Sequence, residues 1–556
     1  MVRKLRLSLL AVALMVFSVS GFAQGSKKSA GNNWHLKDRK DGYYGISLDK
    51  AYELVKGKKS ETIIVAVIDS GIDTTHEDLR PIFWVNAKEI PGNGIDDDGN
   101  GYIDDVHGWN FIGGRDGRNV KQDSYEAARF YHMYKEKFLD LSNAAGLSAA
   151  DQKLYKDWLR AREDINKGMD PNELFFLKRL YPVLVKGDSI IAADLKKKEY
   201  NGHDLKNYKA THPDAVATRE IILNICEGNN GNYDITNRQI IDDIEGELRK
   251  AEAADAPPRD YRGEIVKDNP NDINDRFYGN NDIMANTPLH GTHVSGIIGA
   301  VRNNGKGGDG VANNVRLMTI RAVPDGDEHD KDIALAIRYA VDNGAKIINM
   351  SFGKYYSPQK HWVDEALIYA ESKGVLLVAA AGNEGFNADT MPHFPHPILD
   401  NGKKVNNWIM VGASGDPSNG GLVASFSNYG KKEVDVFAPG VNIYSTIPGG
   451  NTYGNLSGTS MASPVTAGLA AFIWSYFPTL TAQQVKHVIE KSAVPADIKV
   501  TKPKSGEKVD LSDISKTGGL INAFEAVKLA SQLTGQTIKT PEPVKTKMKV
   551  KKKKKS

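Results

Sequence analysis

Thr62-Ile63-Ile64-Val65-Ala66-Val67-Ile68, followed at once by Asp69-Ser70-Gly71-Ile72-Asp73, decides the fold. A run rich in β-branched residues, without polar alternation, reads as a strand buried on both faces, as in a parallel sheet covered by helices. Asp69 then stands at the carboxyl end of that strand, where open α/β sheets place their sites.

Further strands and helices follow the same scheme. Val315 to Ala322 reads as a strand, Lys331 to Asn343 as an amphipathic helix, Ala345 to Met350 as a strand, and Val375 to Ala381 as another buried strand. This alternation predicts an α/β fold with a doubly wound, mostly parallel sheet. Two more stretches carry reactive groups. His290-Gly291-Thr292-His293-Val294-Ser295-Gly296 reads as a loop entering a helix of small residues. Gly458-Thr459-Ser460-Met461-Ala462-Ser463-Pro464 is a turn running into an apolar helix. Ser460 sits near that helix's N-terminus, whose free amides favour developing negative charge.

The order Asp69, His290, Ser460 and the text of all three motifs resemble the subtilisin-like serine proteases, the subtilases. The resemblance implies that Ser460 is the nucleophile, that His290 takes its proton and passes it to the leaving amine, and that Asp69 orients the imidazole. It also implies an acyl-enzyme. Gly382-Asn383-Glu384-Gly385 is similar to the family's oxyanion segment, with Asn383 the side-chain donor and the Ser460 amide the second. Ser351, Phe352, Gly353 and Gly382 would line the substrate site, with Phe394-Pro395 the opposite wall, and His293 would be structural. The partners implied are protein or peptide substrates bound as an added strand. The resemblance covers residues 51–119 and 258–533.

The ends of the chain distort its charge. The 556 residues carry a formal +3. Removing Arg3, Lys4 and Arg6 at the front, and eight lysines with Glu542 behind residue 540, turns that +3 into −7. No nucleic-acid motif accompanies the acidic body. Arg3 to Ala23 has the pattern of a secretory signal peptide (1–23), predicting export to the periplasm or beyond and no integral membrane segment after its removal. Residues 534–556 read as a disordered lysine-rich tail. Cys226, the single cysteine, lies in an apolar helical context and reads as core. An exported protein without disulfides leans on other cross-links, bound metal among them.

Asp96, Asp98 and Asn100, with Gly101 next and Ile103 beyond, match the first part of a calcium loop. Tyr102 would add its carbonyl and Asp104 or Asp105 would close the shell, because His107 stands where such loops carry a bidentate glutamate. The expected cofactor is a structural calcium ion. Asp268, Asp272, Asp275 and Asp282 are read as turn residues before a second metal site. Glu384 and the run Asp325 to Asp330 read as solvated charge before any preference for basic substrates.

Residues 120–257 change texture to charged amphipathic helices and read as a helical insertion between 51–119 and 258–533, after an N-terminal segment at 24–50. Only about 45 residues separate Ala23 from Asp69, too few for the family's inhibitory propeptide domain. Two rival functions stand beside a secreted serine endopeptidase: a peptide ligase or transpeptidase, and a surface binding module with a vestigial protease. Oligomeric state is open.

Overall fold

A computed structural model describes residues 31–536 apart from 168, 229–232, 234 and 255. The signal peptide and nearly all of the lysine-rich tail therefore lie outside the described residues. The central sheet contains β1 (Ile63–Asp69), β2 (Gly108–Asn110), β3 (Val315–Arg321), β4 (Ile347–Met350), β5 (Leu376–Ala380), β6 (Trp408–Asp416), β7 (Asn419–Val423) and β8 (Val436–Pro439). Their order is β8-β6-β5-β4-β1-β3-β2, parallel throughout, with β7 antiparallel on β6.

Successive side chains of a strand face opposite ways, and here both faces are covered. Val65, Val67, Leu317, Ile347 and Val378 enter one core, with Val294 and Ile297 of helix Leu289–Gly299 and Val465 and Leu469 of helix Thr459–Tyr476. Ala66, Ile68, Met318, Ile348 and Leu377 enter the other, with Ile333 and Ile337 of helix Asp330–Asp342 and Val363 and Leu367 of helix Lys360–Ser372. The expected doubly wound α/β sheet results.

β1 pairs with β3 on one side and β4 on the other. The segment that leaves β1 turns to one face, with Ile72 and Leu79 in the first core. The segments that leave β3 and β4 lead instead to helices Asp330–Asp342 and Lys360–Ser372 on the other face. Ligand crevices of α/β sheets form where neighbouring connections part in this way. Asp69 is the last residue of β1.

The helices within residues 120–257 form two clusters. Leu177, Leu184, Ile191, Ile222, Cys226, Ile240 and Ile244 pack together, all from within residues 171–252. Cys226 is buried there as a core side chain. Phe130, Phe138, Tyr155 and Trp158 form the second cluster and share it with Tyr356, which follows β4. Local signals set the helix starts: Ser148 caps Ala149–Asn166, Asp170 with Pro171 opens Pro171–Leu195, and Thr236 with Gln239 makes a capping box on Asn237–Glu252. The two ends of the segment approach one another, since Arg118 Nη2 donates to Glu264 O (3.2 Å). Val120 itself belongs to a sheet core.

Candidate active site

Asp69 is 2% exposed, and its Oδ1 accepts from His290 Nδ1 (2.7 Å) and from the Ser70 amide (2.7 Å). His290 is the second residue of helix Leu289–Gly299. Gly291 lets that helix approach β1, because a Cβ there would stand 2.1 Å from Gly71 O and 3.2 Å from Asp69 Cβ. Burial alone would lower the His290 pKa, but the adjacent Asp69 carboxylate overrides it and holds the pKa above its ordinary value. His293 lies one turn deeper, with Nε2 against the carbonyls of Ile443 (2.9 Å) and Gly454 (3.1 Å). Burial pushes its pKa down to about 3, so it ties the helix to a neighbouring hairpin as a neutral ring.

Ser460 is the second residue of helix Thr459–Tyr476, which packs on the helix bearing His290. Its Oγ donates to Ser351 O (3.0 Å). In this structure the hydroxyl is therefore turned to the segment after β4 and not hydrogen-bonded to His290. Asn349, a polar residue within the apolar β4, accepts from Ser463 Oγ (2.8 Å) and donates to Ser351 Oγ (2.9 Å). Ser351 Oγ in turn donates to Ser460 O (2.9 Å). This chain pins the Ser460 helix to the sheet. Sequence reasoning passed over Asn349, although an asparagine interrupting Ile347-Ile348-Met350 was the visible signal.

Asn383 and Gly382 follow β5. Asn383 Oδ1 accepts from Thr459 N (2.8 Å) and Thr459 Oγ1 (3.0 Å), which leaves Nδ2 to face Gly458. A Cβ built on Gly458 would lie 3.6 Å from Nδ2 and 3.7 Å from Ser460 Cβ, so the amide nitrogen and the hydroxyl-bearing carbon flank one small space. Gly382 has φ +99°, and a Cβ there would lie 2.3 Å from Asn428 Nδ2, so glycine is required on both counts. Ser351, Phe352 and Gly353 follow β4, with Ser351 O meeting Ser460 Oγ. The wall behind Gly353 is His393, whose ring atoms a Gly353 Cβ would meet at 2.1 Å. The Tyr355 hydroxyl donates to Glu384 Oε2, so this carboxylate is partnered and not simply solvated.

The acidic loop is rearranged from its expected form. Asp96 and Asp98 approach Glu89, each offering an oxygen within 4.8 Å of the others. Asn100 Oδ1 accepts the Tyr102 amide (2.8 Å). Asp104, expected to help close the shell, instead accepts the amides of Gly92 (2.7 Å), Asn93 (3.2 Å) and Gly94 (2.9 Å). The chain doubles back there, which brings the upstream Glu89 beside Asp96 and Asp98. Asp105 accepts Tyr339 Oη (2.6 Å), Asn86 Nδ2 (2.8 Å) and Asn100 Nδ2 (3.1 Å), and burial raises its pKa to about 6 against those bonds. Asp272, Asp275 and Asp282 accept nearby backbone amides as turn residues, while Asp268 pairs with Arg262 (2.6 Å) and Lys331 (2.5 Å).

Residues 60–520 match the sequence model of the subtilase family. The chain is 40% identical over 239 residues to the thermophilic serine proteinase of Bacillus sp. (strain AK1), covering 43% of this chain and 52% of that protein. It is 42% identical over 207 residues to subtilisin DY of Bacillus licheniformis, covering 37% and 70%. With thermitase of Thermoactinomyces vulgaris it shares 35% over 253 residues, covering 45% and 79%. The chain thus spans about half the length of the first of these relatives and more of the other two. With the family's sequence pattern extending over most of its length, from before β1 to beyond the helix that bears Ser460, the chain belongs to the subtilase family.

Proposed function

We propose that this subtilase is a serine endopeptidase that hydrolyses peptide bonds of exported or extracellular proteins through an acyl-enzyme on Ser460. The observation that carries the reading is the Asp69–His290 bond of 2.7 Å in a helix packed on the one that presents Ser460. Asp69 accepts from Nδ1, so the neutral ring has Nε2 free to accept the Ser460 proton. Ser460 Oγ then attacks the substrate carbonyl, and His290 delivers that proton to the leaving amine. Asp69 stabilises the imidazolium while it lasts. Water, deprotonated by the same ring, releases the acyl group. Asn383 Nδ2 and the Ser460 backbone amide are the two donors for the oxyanion, held in place before the reaction begins.

The acidic loop supports a structural calcium ion. Its donors are hard oxygens, Glu89, Asp96 and Asp98 converge, and among the described residues none of the three is in a salt bridge with a basic side chain. When bound, the cation would offset their mutual repulsion; these three residues would hold it, with Asn100 and the Tyr102 carbonyl nearby in the chain. The signal-like residues 1–23 support export, and among the described residues no helix is long and apolar enough to cross a membrane.

A serine-directed fluorophosphonate should label the protein at Ser460, and Ser460→Ala should abolish both labelling and peptide hydrolysis. Labelling undiminished in that variant would place the nucleophile elsewhere.

A further inference from the structure

The crevice above β1 is bounded on one side by the segment that leaves β4, Ser351 to Lys354, and on the other by the segment that leaves β3, Val323 to Asp330. At one end Ser460 Oγ touches Ser351 O (3.0 Å). Three residues further, the two sides are joined. Lys354, 3% exposed, donates from Nζ to Glu328 O (2.8 Å) and pairs with Asp330 Oδ1 (2.9 Å).

The helical insertion completes this joint. Glu126, in its first helix, accepts from Lys354 Nζ at Oε2 (2.6 Å) and from Arg129 Nη2 at the same oxygen (2.7 Å). Arg129 also donates to the carbonyls of Asp327 (3.0 Å) and Glu328 (3.1 Å). Further back, Lys121 O accepts the Asp325 amide and Asp325 O accepts the Asp123 amide, both at 2.8 Å. The run Asp325 to Asp330 is thus built into an ion network, and the expectation of solvated loop charge is corrected: Glu328 and Asp330 are buried. Two carboxylates of the run are paired, Asp330 with Lys354 and Asp325 with Arg249 (Arg249 Nη2 to Asp325 Oδ2, 3.0 Å).

We infer that the insertion closes the acyl side of the cleft, so that an extended substrate pairs over about three residues before the scissile bond and no further. Resting on the peptidase reading above, the inference follows from length. From Ser351 to Lys354 the crevice runs about 10 Å, the span of three extended residues. There a peptide strand meets Lys354 bridging one wall to the other, and the carbonyls of Asp327 and Glu328 are already taken by Arg129. The residues that join the walls, Lys354, Glu126, Arg129 and Asp330, are charged and paired with one another, so they offer a fourth apolar residue little to pack against. Lys354, Glu126 and Arg129 are specificity-determining residues in this account and touch none of the reacting groups.

The test is a ladder of N-acetylated peptidyl coumarylamides of one to six residues, all ending in the residue best cleaved in a library screen of the full-length protein. In wild type, kcat/KM should rise up to three residues and then change by less than about threefold. An open cleft would gain about tenfold or more from the additional main-chain hydrogen bonds of each paired residue. A rise of more than about threefold from three residues to five overturns the inference while leaving the peptidase reading intact. Failure to cleave any length, together with no fluorophosphonate labelling, overturns both. Lys354→Met combined with Glu126→Gln removes the bridge without leaving both of its charges, and this variant should respond to a fourth residue where wild type does not. If it folds and its ladder stays flat, the bridge is not the barrier; if it does not fold, the wild-type ladder decides alone.

Discussion

Thr459 grips the carbonyl end of the Asn383 side chain twice, through its backbone N (2.8 Å) and its Oγ1 (3.0 Å), and so fixes which end of the amide faces Ser460. An oxyanion donor aimed by its neighbour costs no reorganisation during reaction. Asn383→Leu should therefore lower kcat by about 10²- to 10³-fold with little change in KM, the magnitude established for the side-chain donor of subtilisin itself. Thr459→Val keeps the backbone bond and loses the hydroxyl bond, so its loss of kcat should be smaller. Steady-state kinetics on both variants checks the order; an Asn383→Leu enzyme with full kcat would remove the donor role.

Asp69 raises the His290 pKa, and the sign of its effect on rate can be worked out. Only the neutral ring accepts the Ser460 proton, so the acid limb of kcat/KM lies above the position that an isolated histidine would give. Asp69→Asn should move this limb to lower pH, because the stabilising charge is gone. The same change should greatly lower the plateau, because the ring loses the partner that fixes its tautomer. Profiles of kcat/KM against pH for the two proteins test both effects; a limb that shifts upward in the variant would contradict the electrostatic account.

Strands and reactive groups were legible in the sequence because each depends on local text. Val65 and Val67 face one core while Ala66 and Ile68 face the other, which is why that run has no polar alternation. Thr481 and Gln484 form their capping box within four residues. What was not legible depends on partners far away in the chain. Helical stripes in 120–257 announce helices, but nothing in Trp158 or Phe130 says that their cluster includes Tyr356. Glu89 was missed as a loop carboxylate because loop templates count forward from Asp96 and the chain doubles back. Lys354 reads as a surface lysine until Glu126, 228 positions away, is found against it.

Calcium should stabilise the protein by binding the folded loop alone, by about 2.7 kcal/mol at a hundredfold excess over Kd. Melting curves with calcium and with chelator should separate in wild type. The separation should nearly vanish in Asp98→Ala and in Glu89→Gln, and persist in Asp104→Asn, whose carboxylate lies outside the group formed by Glu89, Asp96 and Asp98. Equal loss in Asp104→Asn would restore the ligand set that spacing alone suggested.

The division of the helical insertion into two clusters bears on what can be cut away. Removing residues 120–257 whole would take Val120 from a sheet core and leave Lys354 without Glu126 and Tyr356 without its cluster. Taking away one partner of a buried ion pair is strongly destabilising, by about 3–5 kcal/mol. Joining residue 167 to residue 236 by a short Gly/Ser linker removes most of the cluster that lies wholly within 171–252 and keeps Glu126, Arg129 and Arg249 in place. Ile240 and Ile244 would lose their core, so the shorter excision should also carry Ile240→Glu and Ile244→Lys. We expect the shorter excision to fold and to cleave small peptides with a kcat/KM near wild type, and the longer one to lose cooperative unfolding. Circular dichroism melts and peptide kinetics read both outcomes. A longer excision that melts as sharply as wild type would show that the first two helices are not part of the catalytic body.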